Sequence, residues 1–295
     1  MSRHLPFKQV DVFTTVPYKG NPVAVINCMG IDESEVTKEQ LQSVANWTNL
    51  SETTFLFKPT DGKSDYKLRI FTPVSELPFA GHPTVGSCKA FLEFTNQSES
   101  QETRTFHQQC GVGSVELTVS PGKISFKAAQ TAIEELDDAV VAQYEAALGI
   151  STVAKPKLLR VGPNWVVLLT DDAQACYNAN PDFAKLAEID ASHGHSGVIL
   201  GGAKGDGEHS YEMRAFAPSL NVKEDPVCGS GALSFIRYLQ ELNGYSEPTE
   251  ISISQGGRLG RNGQISGLIK TKSGTTTTYH IGGDAVTAIE GQILL

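Results

Sequence analysis

The chain repeats itself once, and that constrains its fold more than any other feature. Tyr66-Lys-Leu-Arg69-Ile-Phe71-Thr-Pro73 and Tyr211-Glu-Met-Arg214-Ala-Phe216-Ala-Pro218 share Tyr, Arg, Phe and Pro at one constant offset of 145 residues. Beyond the prolines the offset becomes 148, pairing Gly81 with Gly229 and Phe94 with Leu242, so the intervening loop is three residues longer in the second copy. Upstream, Gly20-Asn21-Pro22-Val-Ala-Val-Ile26 resembles Gly162-Pro163-Asn164-Trp-Val-Val-Leu168, each a turn feeding a β-branched run. Internal repetition at this scale calls for two alike structural units. A length of 295 residues suits two domains of about 150 residues each.

Each copy reads as strand, strand, helix, strand, strand, glycine-rich turn, helix. Thr37-Lys-Glu-Gln40 is a capping box that starts an amphipathic helix to about Trp47. Its counterpart, after Asn180-Pro181, spans Asp182 to Glu188. Strands follow at Thr53 to Phe57 and at Gly197 to Leu200, and the long helices are Gly81 to Phe94 and Gly229 to Leu242. Alternating Thr/Val/Ile/Phe runs and turns such as Thr60-Asp61-Gly62 and Pro121-Gly122 predict hairpins. The pattern is α+β with mainly antiparallel sheet. Strand-rich sequence gives way near residues 125–135, and the run from Ile281 to Ile293 reads as a strand pair returning to the first half. The expected domains are therefore residues 1–128 plus 282–295, and residues 129–281.

Composition removes several classes of function. Net charge is −9, and no Lys/Arg cluster exceeds two residues, which argues against nucleic acid as a partner. Five scattered cysteines without a CxxC pair suggest neither a zinc site nor a disulfide framework, and point to a reduced, cytoplasmic setting. No apolar run is long enough for a signal peptide or a membrane span. His193-Gly-His195 has no evident third metal ligand, and no GxGxxG precedes a helix. No lysine sits in a pyridoxal-phosphate setting. No cofactor and no metal are therefore expected, and the chemistry must lie within reach of side chains.

Ligand sites favour domain interfaces, so a cleft between the two copies is the expected place for chemistry. Glu52 stands in Asn49-Leu50-Ser51-Glu52-Thr53, directly ahead of a hydrophobic strand, while the aligned His195-Ser196-Gly197 carries no carboxylate. The ordinary reading is a solvated glutamate at a strand start. Enclosed by apolar side chains, it becomes instead a carboxyl with a raised pKa, suited to shuttling a proton near neutral pH. His82, in Ala80-Gly81-His82-Pro83, is either a turn histidine or a donor to substrate. In Glu224-Asp225-Pro226-Val-Cys228-Gly229-Ser230, Asp225 and Ser230 are cap residues that can also hold a ligand, and Gly229 offers a backbone N–H. Cys228 is either a small buried hydrophobe or a thiol activated by a helix N-terminus.

Taken together, Gly20-Asn-Pro-Val-Ala-Val25, Ser51-Glu52-Thr-Thr-Phe55, Phe79-Ala-Gly-His-Pro-Thr84, Arg214-Ala-Phe-Ala-Pro218 and Glu224-Asp-Pro-Val-Cys-Gly-Ser230 resemble the PhzF family. These are phenazine-biosynthesis-like isomerases related to diaminopimelate epimerase. The resemblance spans essentially the whole chain. It implies two pseudo-symmetric domains, each a rolled, mainly antiparallel sheet around a central helix, and a homodimer. It implies that Glu52 is the catalytic glutamate and that His82 and Asp225 assist it. Asn21, Gly81, Cys228, Gly229 and Ser230 are implied to bind a small carboxylate substrate. The epimerase relatives use two facing cysteines; here Cys228 has Ala80 as its counterpart, which disfavours a two-thiol racemase. Three functions are expected in this order: a proton-moving isomerase on an amino- or hydroxy-carboxylate, an epimerase using Cys228 with Glu52, and a non-catalytic metabolite-binding protein.

Overall fold

A computed structural model describes residues 3–98, 101–128, 131–271 and 277–295. The chain divides into two compact units, Met1–Lys127 with Gly282–Leu295, and Ala128–Ile281. The expected boundary residue 129 lies outside the described residues.

The first unit runs β1 (His4–Val12), β2 (Asn21–Asn27), α1 (Lys38–Thr48), β3 (Thr53–Phe57), β4 (Tyr66–Phe71), β5 (Glu76–Leu77) and α2 (Gly81–Phe94). It continues through β6 (Arg104–Cys110), β7 (Gly113–Ser120) and β8 (Lys123–Lys127). In the second unit, β9 (Ala132–Glu135) and α3 (Asp138–Leu148) lead into β10 (Lys157–Arg160), β11 (Asn164–Thr170), α4 (Ala173–Asn178) and α5 (Phe183–His193). Then come β12 (Gly197–Ala203), β13 (Ser210–Ala217), β14 (Val222–Asp225), α6 (Gly229–Asn243), β15 (Thr249–Gln255) and β16 (Gly263–Lys270). β17 (Thr278–Gly283) crosses the changeover, and β18 (Ala285–Leu294) pairs antiparallel with β1.

The repeat holds at the level of register. In the first unit, β18–β1 and β1–β2 are antiparallel, β2–β3 parallel, β3–β4 antiparallel, β4–β6 parallel and β6–β7 antiparallel. The second unit gives the same succession through β9–β10, β10–β11, β11–β12, β12–β13, β13–β15 and β15–β16. The fold is thus α+β, with a sheet more mixed than the alternation of residues suggests. Each parallel joint arises where a helix crossover returns the chain to a neighbouring strand in the same direction.

The central helix of the first unit, α2, touches β18, β1, β2, β3 and β8, strands from both ends of the sheet order, so the sheet rolls around it. Its burial explains its sequence: Val85, Cys88, Ala90, Phe91 and Leu92 are all covered. Gly86 permits the closest approach, because a Cβ there would lie 2.4 Å from Val23 Cγ1 and 2.8 Å from Val12 Cγ2. α1 starts at the predicted capping box, Thr37 Oγ1 accepting from Gln40 N–H and Gln40 Oε1 from Thr37 N–H. Leu41 and Ala45 on its inner face pack with Phe55, Phe57 and Phe71. α5 runs five residues beyond its expected end, because the chain stays helical until Gly194 closes it in the left-handed region at φ 68°.

The repeated Arg and Phe acquire a structural meaning. Arg69 Nε and Nη2 donate to Glu76 at 2.7 and 3.0 Å, with the guanidinium 5.3 Å from the Phe71 ring. Arg214 does the same to Glu224 at 2.9 Å twice, 4.8 Å from the Phe216 ring. In both units this bidentate pair ties the strand before the glycine-rich turn to the short strand leading into the central helix. No helix among the described residues is long and apolar enough to cross a membrane.

Candidate active site

Glu52 is placed by a short, tightly bonded turn. Asn49 ends α1 in the left-handed conformation at φ 54°, which asparagine tolerates. The hydroxyls of Thr48 and Thr53 meet at 2.7 Å across the turn, and Glu52 C=O accepts from Ala24 N–H at 3.5 Å. Two residues after Glu52, Thr54 Oγ1 donates to Ala24 C=O and bonds Ser87 Oγ of α2 at 2.8 Å. Glu52 is thereby fixed against both β2 and the central helix.

Its side chain is 16% exposed, and Oε2 stands 3.3 Å from His82 Nε2. Oε2 itself is buried and accepts no hydrogen bond from the described residues. Burial pushes the Glu52 carboxyl up to about 7, with the Ser51 hydroxyl pulling weakly the other way. His82 is buried in the first turn of α2, between Gly81, which opens the helix, and Pro83, the third residue, where a missing N–H costs no helical bond. Ala80, the N-cap, makes no side-chain capping hydrogen bond. Asn21 opens β2 and is buried.

The equivalent groups of the second unit gather at the start of α6. Cys228 is the N-cap there, its Sγ accepting from Gly231 N–H at 3.3 Å. Asp225 Oδ1 accepts from Val227 N–H at 3.0 Å, closing a turn ahead of the helix. Neither Asp225 nor Ser230 is the cap residue expected from sequence, since Cys228 takes that place and Ser230 lies within the first turn. Ser230 Oγ lies 3.6 Å from Cys228 Sγ and accepts from the indole Nε1 of Trp165 at 3.1 Å. The structure therefore collects the eight sequence-derived residues into two sets: Asn21, Glu52, Gly81 and His82 in one unit, and Asp225, Cys228, Gly229 and Ser230 in the other.

Two participants escaped the sequence reading. Gln255 on β15 is buried, its Oε1 accepting from Cys228 N–H and its Nε2 donating to Asp225 C=O, each at 2.8 Å. Its only sequence signal is an amide closing the alternating run Ile251-Ser-Ile253-Ser-Gln255. Trp165 is the second, signalled by a bulky aromatic directly after the Gly162-Pro163-Asn164 turn. His195, by contrast, belongs to the core of its unit: Nδ1 lies 2.7 Å from Tyr144 Oη, which donates to Asp190 Oδ1. Among the described residues no cluster of three or more His, Cys, Asp or Glu is arranged to hold a metal ion.

The phenazine biosynthesis-like protein family matches residues 10–291. The chain belongs to this family. It is accordingly an enzyme of the isomerase class. It is 39% identical to Antisense-enhancing sequence 1 of Schizosaccharomyces pombe, over 99% of each chain. It is 30% identical to the trans-2,3-dihydro-3-hydroxyanthranilate isomerase of Pseudomonas fluorescens, over 97% of this chain and 98% of that one. A PhzF-family protein from Bacillus anthracis shares the fold, with a TM-score of 0.84 at 18% identity over 99% of this chain and all of that one.

Proposed function

We propose that this PhzF-family isomerase moves a proton on a small amino- or hydroxy-carboxylate, with Glu52 as the general acid/base. The observation that carries the reading is the enclosed Glu52 carboxyl, raised to about 7 and set 3.3 Å from His82. A carboxyl whose pKa lies near the working pH can both take a proton from carbon and return it, and a positioned group of this kind supplies roughly 10²–10⁴-fold. His82 assists the transfer and Asp225 holds a polar group of the substrate. Asn21, Gly81, Cys228, Gly229 and Ser230 bind its carboxylate and neighbouring substituents, since helix N-termini supply donors to an anion. The dihydro-hydroxyanthranilate named for the Pseudomonas relatives has the expected chemical character: a ring carrying amino, hydroxyl and carboxylate groups.

Epimerisation is a second reading, favoured by the Cys228 thiol at the N-cap of α6 with a backbone N–H on its sulfur. Ala80 at the matching N-cap of α2 leaves such a reaction one thiol and requires Glu52 as the opposed base. Solvent-deuterium incorporation during turnover tests both. Glu52→Gln should abolish incorporation while leaving carboxylate binding largely intact, and wild-type incorporation in that variant would sink the assignment. Cys228→Ala should retain turnover under the first reading and lose it under the second.

A further inference from the structure

The indole of Trp165 reaches the one hydroxyl in the first turn of α6, and the direction of that hydrogen bond has chemical consequences. An indole N–H can only donate, whereas a serine hydroxyl has one proton to give and two lone pairs to accept with. At 3.1 Å the Trp165 proton occupies a lone pair of Ser230 Oγ, so the hydroxyl's own proton must point elsewhere. Within the unit its neighbour is Cys228 Sγ at 3.6 Å, a long and weak acceptor. The N–H of Gly231 is already bonded to that sulfur.

Trp165 is held rigidly enough to impose this. It sits on β11 between Leu159 of β10 and Gly197 of β12, and is 5% exposed. A Cβ at Gly197 would lie 2.8 Å from Trp165 Cζ3, so glycine there makes room for the indole. The preceding residue is pinned as well, Asn164 N–H donating to Ser196 Oγ and Ser196 N–H to Asn164 C=O. In the first unit the position matching Ser230 is His82, so the arrangement is peculiar to the second copy.

We infer that Trp165 is a positioning residue that, by filling one of the two lone pairs of Ser230 Oγ, turns the hydroxyl proton toward a ligand and biases the start of α6 toward an acceptor-only carboxylate over a neutral amide. The inference rests on the reading of Ser230 as substrate-binding and adds to it the residue that sets its polarity. A carboxylate can only accept, while a carboxamide presents its own N–H₂ to one of its two partners. A hydroxyl free to rotate would accommodate either equally; one with a lone pair and its orientation held by an indole has fewer ways to accept and favours the carboxylate.

The test is calorimetric titration of the full chain with 3-hydroxyanthranilate and with its carboxamide, the aromatic ring removing the mobile proton. The readout is the ratio of the two affinities within each protein, which does not depend on the folded fraction. Wild type should prefer the carboxylate, and Trp165→Phe should narrow that preference about tenfold, in line with one hydrogen bond to a charged group. Ser230→Ala should narrow it comparably, and the double variant no further. If Trp165→Phe keeps the full preference while Ser230→Ala loses it, the inference is overturned and the substrate-binding role of Ser230 stands. If wild type shows no preference, or Ser230→Ala keeps it, both fall together.

Discussion

Replacing Glu52 by glutamine should stabilise the protein at alkaline pH while removing its activity. The carboxyl is displaced from its ordinary 4.5 to about 7 because folding takes it out of water. A raised carboxyl favours the folded state while protonated, so its contribution is complete below pH 4.5 and is lost as pH rises through about 7. At about 1.4 kcal/mol per pH unit, an ionised Glu52 costs the folded state roughly 3 kcal/mol above pH 8. The buried oxygen of Glu52 that accepts no hydrogen bond is the local origin of that cost. Glutamine keeps the shape and carries no charge to desolvate.

Urea denaturation of wild type and Glu52→Gln between pH 4.5 and 8.5 measures the difference directly. The two curves should nearly coincide at the acid end, separate through neutral pH and run parallel above pH 8, with the variant more stable. For a domain of this size the gap corresponds to about 6–12 °C in Tm. If the two units unfold in separate transitions, the effect belongs to the one carrying Glu52. Curves offset by the same amount at every pH would refute the argument, since they would mean that Glu52 has the same pKa folded and unfolded.

The remaining expectations concern other groups. Proton exchange catalysed by wild type should rise with pH through an apparent pKa near 7, because the base must be ionised to act; a profile flat from pH 5 to 9 would exclude Glu52 as that base. Glu224→Gln should destabilise by about 3 kcal/mol in urea titrations, since it removes the counter-charge from a guanidinium whose side chain is 4% exposed and leaves it only neutral partners such as Ala179 C=O at 2.6 Å. Glu76→Gln in the other copy should cost less, as Arg69 is 17% exposed and keeps Glu33 at 3.5 Å. Gly197→Ala should lower Tm and red-shift tryptophan emission, because its Cβ would lie 2.1 Å from Phe216 C=O as well as against the Trp165 ring. Unchanged emission would show that the indole does not depend on that space.

Much of this was legible because the chain carries two readings of one fold. The capping box at Thr37, the strand Thr53–Phe57 and the helix Gly81–Phe94 follow from local chemistry that needs no tertiary partner. The parallel joints β2–β3 and β4–β6 were not legible, because periodicity records which face of a strand is buried and not the direction of its neighbour. α3 was missed where the second copy departs from the first, so repetition offered no template for it. Gln255 and Trp165 were missed for a different reason. Each acts through a contact across long sequence separation, Gln255 on Cys228 and Trp165 on Ser230, and a single sequence does not encode such pairs.

The duplication also separates scaffold from chemistry. Both copies answer to the same folding constraints, so residues that serve the fold should persist in both: Arg69 and Arg214, Glu76 and Glu224, Phe71 and Phe216 make the same pair and the same ring contact. A reacting group is under no such duty. Among the candidate site positions, the copies diverge at Glu52 against Ser196, Ala80 against Cys228 and His82 against Ser230. Ser196 Oγ accepts from Asn164 N–H, a structural task that ties the turn to β11. Exchanging these residues between copies is therefore the sharpest probe of the division. Moving a carboxylate to the second copy by Ser196→Glu in a Glu52→Gln background should leave proton exchange abolished, because the position matching His82 is Ser230 and the substitution breaks the Asn164 contact. Restored exchange would show that either copy can host the base, and that the asymmetry at Glu52 carries no mechanistic weight.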